Sequence, residues 1–307
     1  MSSLTIAICT RNRSKLLSLC LESLARSISD SFNPVIIVID NGSTDETKQT
    51  CDKFKEPLRL SYYFLETPGL SLARNLALEN TTTEYIVYLD DDAQIDSVWA
   101  EAILKGIERY NPDLFGGPYR PFYLEEKRKW FKDQYGSAYL NRQEKPLEND
   151  EYVSGGNMGW RTEILRKLGG FPANLGMIGG KIGLGEETYI QELAKSKYPD
   201  LQTIFLTKMC MTHYVPKEKQ FIGYWINRMW IHGKQDVEIF LDQKPITYRW
   251  ILIEIFYMIR FWILLVFRDR KEFPYWQQYV FEKGLSRFRF WGRVHTWVGT
   301  FMSLRKH

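Results

Sequence analysis

The sequence has few cysteines and no long apolar run near its start. Four cysteines occur among 307 residues and no two form a C-x-x-C pair, which excludes a disulfide scaffold and a zinc site built from such pairs. The first apolar run is too short for a signal peptide, and no charged segment precedes it. We therefore expect a protein of the reducing cytoplasm.

Net charge is also small. The chain carries 41 basic and 37 acidic residues, an excess of +4 that is too small to indicate a nucleic-acid partner. Hydrophobic residues make up 44% and charged residues 25%, which is a globular composition and excludes a disordered or collagen-like chain. This length allows one large domain or two modest ones.

Charge and aromatic residues are unevenly placed. Residues 214–307 hold 16 basic against 8 acidic residues and 7 of the 10 tryptophans, so the preceding part of the chain is acidic. Basic, aromatic-rich segments often lie against an anionic membrane surface or a partner chain. The alternative is a solvated face over an ordinary core.

Short apolar runs alternate with helical patterns along the first half of the chain. Leu4–Cys9, Pro34–Asp40 and Glu84–Leu89 lack polar alternation, as strands do when both faces of a parallel sheet are covered. Ser14 is placed to cap the first helix, and Val98, Ala102 and Ile103 mark a later one. This order predicts a doubly wound, mostly parallel α/β sheet whose ligands bind beyond the carboxyl ends of the strands.

Three consecutive aspartates, Asp90, Asp91 and Asp92, follow the third run. Such carboxylates repel one another at the end of a buried strand unless a cation lies between them. Because successive strand residues point to opposite sides, Asp90 and Asp92 can share a ligand while Asp91 turns away. Their oxygens suit Mg²⁺ or Mn²⁺, and the alternative is an acidic turn that caps the next helix.

A second acidic residue, Asp40, also ends a strand and precedes a turn with Asn41, Gly42 and Ser43. Asp40 could accept a hydrogen bond from a ribose hydroxyl or a base N–H. Ser43 or Asp45 could instead cap the following helix, so this motif alone does not distinguish a nucleoside site from a turn.

Six short motifs follow one another along the first two thirds of the chain. They are AICTRNR at 7–13, DNGSTD at 40–45, Gly69 with Ala73-Arg74-Asn75, LDDD at 89–92, Gly155-Gly156-Asn157 and Gly185-Glu186-Glu187. In order and spacing they resemble the motifs of family 2 glycosyltransferases. The resemblance implies a GT-A fold, a nucleoside-diphosphate sugar donor, a divalent cation and inversion at the anomeric carbon.

The resemblance also implies which residues contact the donor. The matching positions are Thr10, Arg11, Arg13, Asp40, Arg74, Asn75, Asp90, Asp91, Gly156 and Asn157. In the family, the first loop lies beside the nucleotide, the residue at Asp40 reads the base, and Arg74 and Asn75 lie over the ribose and phosphates. Asp92 and Asp90 match the metal-binding pair, and His213 lies where related enzymes often place a histidine close to the metal.

The catalytic base has two candidates. The family usually has Glu-Asp at the start of a helix, with the Asp as base, whereas this chain has Glu186-Glu187. Glu187 therefore takes the Asp position with one more methylene, and Glu186 is the second candidate. A carboxylate there would accept the proton of the acceptor hydroxyl, although the helix dipole alone also favours acidic residues in a first turn.

Near the C-terminus, Trp250–Phe267 is an apolar run of 18 residues in which only Glu254 and Arg260 are charged. As a helix it would be about 27 Å long, close to the hydrocarbon thickness of a bilayer. The central Arg260 disfavours a span, so we expect burial against the body or a second subunit, or a position in the bilayer interface. The Q-x-x-R-W element of processive polymer synthases is absent, which predicts one sugar per acceptor visit.

Together these features predict a catalytic domain over residues 1–215 and a helical, aromatic-rich region over 216–307. We expect a metal-dependent, inverting glycosyltransferase at the inner face of the membrane, as a monomer or homodimer. A UDP-sugar is the favoured donor, and a glycan, a lipid-linked sugar or a protein is the acceptor. One alternative is a sugar-phosphate nucleotidyltransferase, but such enzymes need a glycine-rich loop directly after the first strand, and this chain has no glycine there. The other is a catalytically silent docking module, which the presence of Asp90 and Asp92 disfavours.

Overall fold

The computed structural model describes residues 3–30, 32–148, 150–177, 183, 185–239, 248–267 and 275–304. In these residues the strands are β1 Leu4–Thr10, β2 Val35–Asp40, β3 Leu60–Phe64, β4 Tyr85–Leu89, β5 Ala93–Gln94, β6 Leu114–Gly116, β7 Tyr119–Phe122, β8 Lys145–Pro146, β9 Asn157–Arg161, β10 Thr203–Phe205 and β11 Met211–Tyr214. The α-helices are α1 Ser14–Ser27, α2 Thr47–Leu58, α3 Leu70–Glu79, α4 Ser97–Tyr110, α5 Thr162–Lys167, α6 Glu186–Lys197, α7 Ile222–Ile239, α8 Tyr248–Phe267 and α9 Trp276–Leu304.

The larger sheet has eight strands in the order β3-β2-β1-β4-β9-β6-β10-β8. The first four are parallel to one another, and β9 enters antiparallel between β4 and β6. The α/β class and the mostly parallel sheet predicted from the apolar runs are confirmed.

Apolar side chains bury both faces of the central strands. In β1, Ile6 and Ile8 point into a core shared with Leu17 of α1, whereas Ala7 points into the opposite core with Ala73 of α3. A shift of one residue would exchange these two sets, so the packing fixes the strand register. Because β1, β2 and β4 run parallel to one another, their carboxyl ends lie at the same edge of the sheet.

A separate three-stranded sheet has the order β5-β11-β7. Strand β5 follows the three aspartates directly, and His213 of β11 pairs with Ala93 of β5. The backbone N–H of Tyr214 donates to the carbonyl oxygen of Asp92 at 2.9 Å. This pairing brings His213 to the aspartates from a distant part of the sequence.

One local prediction about the helices is wrong and another is confirmed. Ser14 does not cap α1, because Arg13 occupies the capping position and the Ser14 N–H donates to Asp45 Oδ2 at 3.0 Å. The later helix that Val98 marks is confirmed as α4, in which Val98 is 48% exposed and Trp99, Ala100 and Ile103 are buried.

The cysteines are all free thiols. Cys20 of α1 and Cys51 of α2 are buried in the core beneath β1 and β2. Burial raises the pKa of Cys20 well above that of an ordinary thiol and raises the pKa of Cys51 to about 12. Burial also raises the pKa of Cys9 to about 12 and raises that of Cys210.

Contacts divide the described chain into two compact units. The first unit holds both sheets and ends at Tyr214, and the second contains Tyr123–Lys132 and the helices from Val215 onward. The segment Tyr123–Lys132 belongs to the second unit, although its position in the sequence does not predict this. In the part of the chain that the structure describes, no helix is both long and apolar enough to cross a membrane.

Within the second unit, α7 and α9 approach closely at two glycines. A Cβ at Gly233 would lie 1.8 Å from the Arg289 carbonyl oxygen, and one at Gly292 would lie 2.2 Å from a carbonyl oxygen of α7. Asp236 of α7 accepts hydrogen bonds from Arg289 and Arg293 of α9 at 2.8 and 2.7 Å. Glycine contacts and paired charges therefore join these two helices.

Candidate active site

Two aspartates and a histidine converge where β4 ends. Ligand atoms of Asp90, Asp92 and His213 all lie within 4.8 Å of one another. The distance from His213 Nε2 to Asp92 Oδ1 is 3.2 Å, and the Asp92 side chain is buried. This set of two carboxylates and one imidazole fits a divalent cation of the first transition row.

Asp91 points away from that cluster. Its Oδ2 accepts from Thr10 Oγ1 at 2.7 Å, and its Oδ1 accepts from Arg13 Nη1 at 2.9 Å. Burial raises the pKa of Asp91 above its usual range, while the charge of Arg13 lowers it. Arg13 Nη1 also lies 3.0 Å from Asp92 Oδ2, so one guanidinium contacts two carboxylates. The single positive charge of Arg13 does not balance the three aspartates.

Asp40 is held by protein groups at the end of β2. Its Oδ1 accepts from the Ser43 N–H and its Oδ2 from the Tyr62 hydroxyl, both at 2.8 Å. Tyr62 comes from β3 and is a residue that sequence reasoning missed; β2 and β3 pair in register here, with Val38 opposite Tyr62. A nucleoside contact by Asp40 would use the remaining lone pairs of these two oxygens.

The loops after β1 and β2 are joined to each other. Asn12 has a φ of +52°, and its Oδ1 accepts from the Thr44 N–H at 2.7 Å. The Asn12 N–H donates to Ser43 Oγ at 2.9 Å. Arg11, in the loop after β1, is half-buried, and its Nε has no hydrogen-bond partner among the described residues.

Arg74 donates a buried hydrogen bond to Glu186. Arg74 Nη1 lies 2.9 Å from Glu186 Oε1, and each side chain is 5% exposed. The guanidinium also packs over the rings of Phe171 and Tyr88, at 5.2 and 5.9 Å from their centroids. In this structure Arg74 therefore fixes the start of α6.

The two glutamates differ in their surroundings. Glu186 is buried, whereas Glu187 is partly exposed, and the Oε2 atoms of both are buried without a donor among the described residues. Burial raises the pKa of Glu186 well above that of an ordinary glutamate; the charge of Glu187 raises it further and that of Arg74 lowers it. Glu186 is thus held by Arg74, and Glu187 is the more exposed residue of the two.

A turn of two glycines separates the acidic cluster from the glutamates. A Cβ at Gly156 would lie 1.9 Å from Asp90 Oδ2, and one at Gly155 would lie 3.2 Å from Glu187 Cβ. Consecutive Cα atoms are about 3.8 Å apart, so Asp90 and Glu187 flank one short stretch of backbone. Any side chain on Gly156 would displace the Asp90 carboxylate.

Asn75 and Asn157 each hydrogen-bond to the protein through both the oxygen and the nitrogen of the side-chain amide. Asn75 exchanges two hydrogen bonds of 2.8 Å with the backbone of Phe171. Asn157 is completely buried; its Oδ1 accepts from Trp99 Nε1 at 2.9 Å and its Nδ2 donates to the Met209 carbonyl oxygen at 2.7 Å. Donor contact by these residues stays a prediction, and their visible role is to hold the loops around the site.

The raised pKa of Glu186 predicts a pH effect on stability that Glu186→Gln removes. The Glu186 carboxyl is harder to ionise in the folded protein than in the unfolded chain, where its pKa is near 4.5. Raising the pH therefore favours the unfolded state. Wild-type stability should therefore fall as pH rises from about 4.5 through the raised pKa, whereas glutamine stays neutral. Urea unfolding measures the free energy of unfolding at pH 6 and at pH 9. Between these two pH values, we expect wild type to lose about 1 kcal/mol or more relative to the variant. The exposed Glu66→Gln should follow wild type, and parallel behaviour of Glu186→Gln would contradict this assignment.

Comparison with known proteins identifies the sequence family. A model described as Glycosyl transferase family 2 matches residues 5–169, which is more than half of the chain. Glycosyltransferase GlyA of Streptococcus pneumoniae is 32% identical over 130 residues, covering 42% of this chain and 18% of GlyA. A teichoic acid poly(glycerol phosphate) polymerase of Staphylococcus epidermidis is 29% identical over 170 residues, covering 54% of this chain and 23% of that protein. The chain spans about a fifth of the length of these relatives.

Solved structures share the fold. S. aureus TarS 1–349 in complex with UDP-GlcNAc superposes with a TM-score of 0.56 at 16% identity, covering 94% of this chain and 89% of that one. The mannosyltransferase PcManGT from Pyrobaculum calidifontis, in complex with GDP-Man and Mn²⁺, gives 0.57 at 21% identity and covers 80% of this chain and 66% of that one. The GT-A fold implied by the sequence motifs is confirmed.

Proposed function

Because the chain belongs to glycosyl transferase family 2, we propose that it transfers a sugar from a nucleoside-diphosphate sugar to an acceptor hydroxyl with inversion at the anomeric carbon. The observation that carries this proposal is the two-glycine turn with Asp90 on one side and Glu187 on the other. A diphosphate leaving group bound at the acidic cluster and the carboxylate of Glu187 would then lie close enough together to contact the same sugar.

The cation-binding group would be Asp90, Asp92 and His213. A bound Mn²⁺ or Mg²⁺ would stabilise the negative charge that develops on the departing diphosphate. Asp91, bound to Thr10 and Arg13, holds the first loop against the end of β4. The protein thus arranges the oxygen ligands before the donor arrives, which limits reorganisation during the reaction.

Glu187 is our choice for the base, with Glu186 as the group that positions it. Glu186 is tied to Arg74, whereas Glu187 is partly exposed beside Gly155. As the acceptor oxygen attacks the anomeric carbon and the bond to the diphosphate breaks, a carboxylate Oε of Glu187 would take the hydroxyl proton. The negative charge leaves with the nucleoside diphosphate, so atoms and charge balance.

The donor edge of the proposed site consists of Thr10, Arg11, Arg13 and Asp40. The buried Nε of Arg11 has no hydrogen-bond partner among the residues that the structure describes, and it would donate to a ribose or phosphate oxygen. We favour a UDP-sugar, in keeping with the UDP-GlcNAc bound by TarS. The acceptor would be a glycan, a lipid-linked sugar or a protein, extended by one sugar per visit.

Residues 1–215 would be the catalytic domain, and 216–307 would hold the enzyme at the inner face of the membrane or against a second copy. A screen of UDP- and GDP-sugars for hydrolysis, with and without Mn²⁺, tests the proposal. We expect metal-dependent turnover of at least one donor. Release of pyrophosphate from a nucleoside triphosphate and a sugar phosphate, with every sugar donor inert, would instead favour a nucleotidyltransferase.

Gly156→Ala should damage the cation site without changing any candidate ligand. The new Cβ would meet Asp90 Oδ2 at 1.9 Å, so this carboxylate must move. We expect Mn²⁺ affinity, measured by calorimetry, to fall at least ~10-fold. Gly223→Ala is the matched control, because a Cβ there meets nothing within 4 Å and affinity should not change. Unaltered affinity in Gly156→Ala would show that Asp90 is not a ligand.

A further inference from the structure

Helix α8 exposes a broad apolar face. Leu252 is 66% exposed, Phe256 63% and Ile259 56%, and Ile263 continues the same face. Helices of globular proteins usually bury such a stripe against the core, and an exposed patch of this kind marks an interaction surface. We call this set of four residues, with Trp262, the apolar face of α8.

A cavity opens beside this face, between α7, α8 and α9. Its volume is about 330 Å³, and it is lined by three tryptophans, two isoleucines, a methionine and a phenylalanine. Ile259 and Trp262 belong both to the cavity lining and to the apolar face. The cavity has the size of a ligand pocket, but its lining offers a sugar or nucleotide almost no polar contact.

The charges on α8 indicate which partner fits this surface. Among the described side chains of the helix, Glu254 is the one acidic group, and its Oε2 accepts from Arg287 of α9 at 2.9 Å. Arg249 and Arg260 are exposed. They are eleven residues apart, which is about three helical turns, so they lie along one side of α8. The outward side is therefore apolar and positively charged.

We propose that the second unit docks on an anionic phospholipid bilayer, with α8 lying in the interface and a lipid hydrocarbon chain entering the cavity. The apolar face would contact the acyl region while Arg249 and Arg260 reach the phosphates, as amphipathic interfacial helices do. A second copy of the chain fits this surface less well, because a symmetric contact would bring four arginines together without an acidic partner on the exposed side. This docking does not depend on the proposed transfer activity.

Flotation with lipid vesicles tests the docking of the full-length chain. Wild type should bind vesicles of phosphatidylcholine with 25% phosphatidylglycerol at least ~10-fold more than pure phosphatidylcholine vesicles, and less at high salt. The double variant Leu252→Glu/Phe256→Glu should lose at least ~10-fold in binding. Val98→Glu is the matched control, since Val98 is an exposed apolar residue of the first unit and its change should not affect flotation.

The arginines give an independent variant that leaves the apolar face intact. Arg249→Gln/Arg260→Gln should lose the preference for anionic vesicles. Failure of wild type to float with either vesicle, or equal losses in Val98→Glu and the glutamate variant, would overturn the proposal. So would a dimer in lipid-free solution that Phe256→Glu dissociates, because a second copy would then occupy the face.

Fluorescence tests whether a hydrocarbon chain enters the cavity. Vesicles whose acyl chains carry bromine should quench part of the tryptophan emission of the bound protein. The quenched part should shrink in Trp230→Phe/Trp291→Phe, since both tryptophans line the cavity. Equal quenching in wild type and this variant would show that lipid chains stay outside the cavity.

Discussion

Asp92→Asn should lower kcat/KM by roughly 10³-fold and abolish the response to Mn²⁺. Asp92 is buried and lies next to His213 Nε2 at 3.2 Å, and its second oxygen faces Arg13. An amide cannot supply the anionic ligand that a divalent ion needs beside a diphosphate. The change preserves volume, so folding should be retained.

Donor hydrolysis at several Mn²⁺ concentrations measures the effect, and Mn²⁺ calorimetry shows whether binding is lost. Asp52→Asn is a suitable control, since Asp52 is an exposed residue of α2 paired with Lys48 at 3.0 Å. It should behave as wild type. A variant Asp92→Asn that keeps wild-type metal dependence would remove Asp92 from the site.

Glu187→Gln should reduce kcat by about 10²- to 10⁴-fold while leaving donor affinity unchanged. Glutamine keeps the shape of the side chain but cannot accept a proton from the acceptor hydroxyl. Single-turnover transfer measures the chemical step, and donor calorimetry measures binding separately.

Glu186→Gln distinguishes the two candidates for the base. If Glu186 only positions Glu187 through Arg74, its neutral analogue should retain much of the rate. Full turnover in Glu187→Gln together with a collapse in Glu186→Gln would reverse the assignment. Loss of donor affinity in Glu187→Gln would place this residue at the donor instead of the acceptor.

The central strands were predictable because their signal is local. The runs that became β1, β2 and β4 are short and mostly apolar, as strands are when both faces of a sheet are buried. Strand β9 lacks that signal, because Asn157–Arg161 contains an asparagine, a glycine and an arginine. It forms because the strands on either side offer backbone partners that are distant in sequence.

The prediction of the site from the sequence was limited for the same reason. The aspartates could be found from their position after a strand, but their partners depend on packing: Arg74 and Glu186 are 112 residues apart, and Thr10 and Asp91 are 81 apart. The wrong cap at Ser14 has the same cause, since the acceptor, Asp45, comes from the loop after β2. No pattern within a helix or strand reports such contacts.

The buried cysteines have a practical consequence for labelling. Thiolates, not thiols, attack maleimides and iodoacetamides, and every native cysteine has a raised pKa because of burial. At neutral pH all four should react slowly, so the native chain already resembles a cysteine-free background. A new cysteine at an exposed position such as Leu252 would therefore carry a fluorophore or spin probe selectively, without removal of any native thiol.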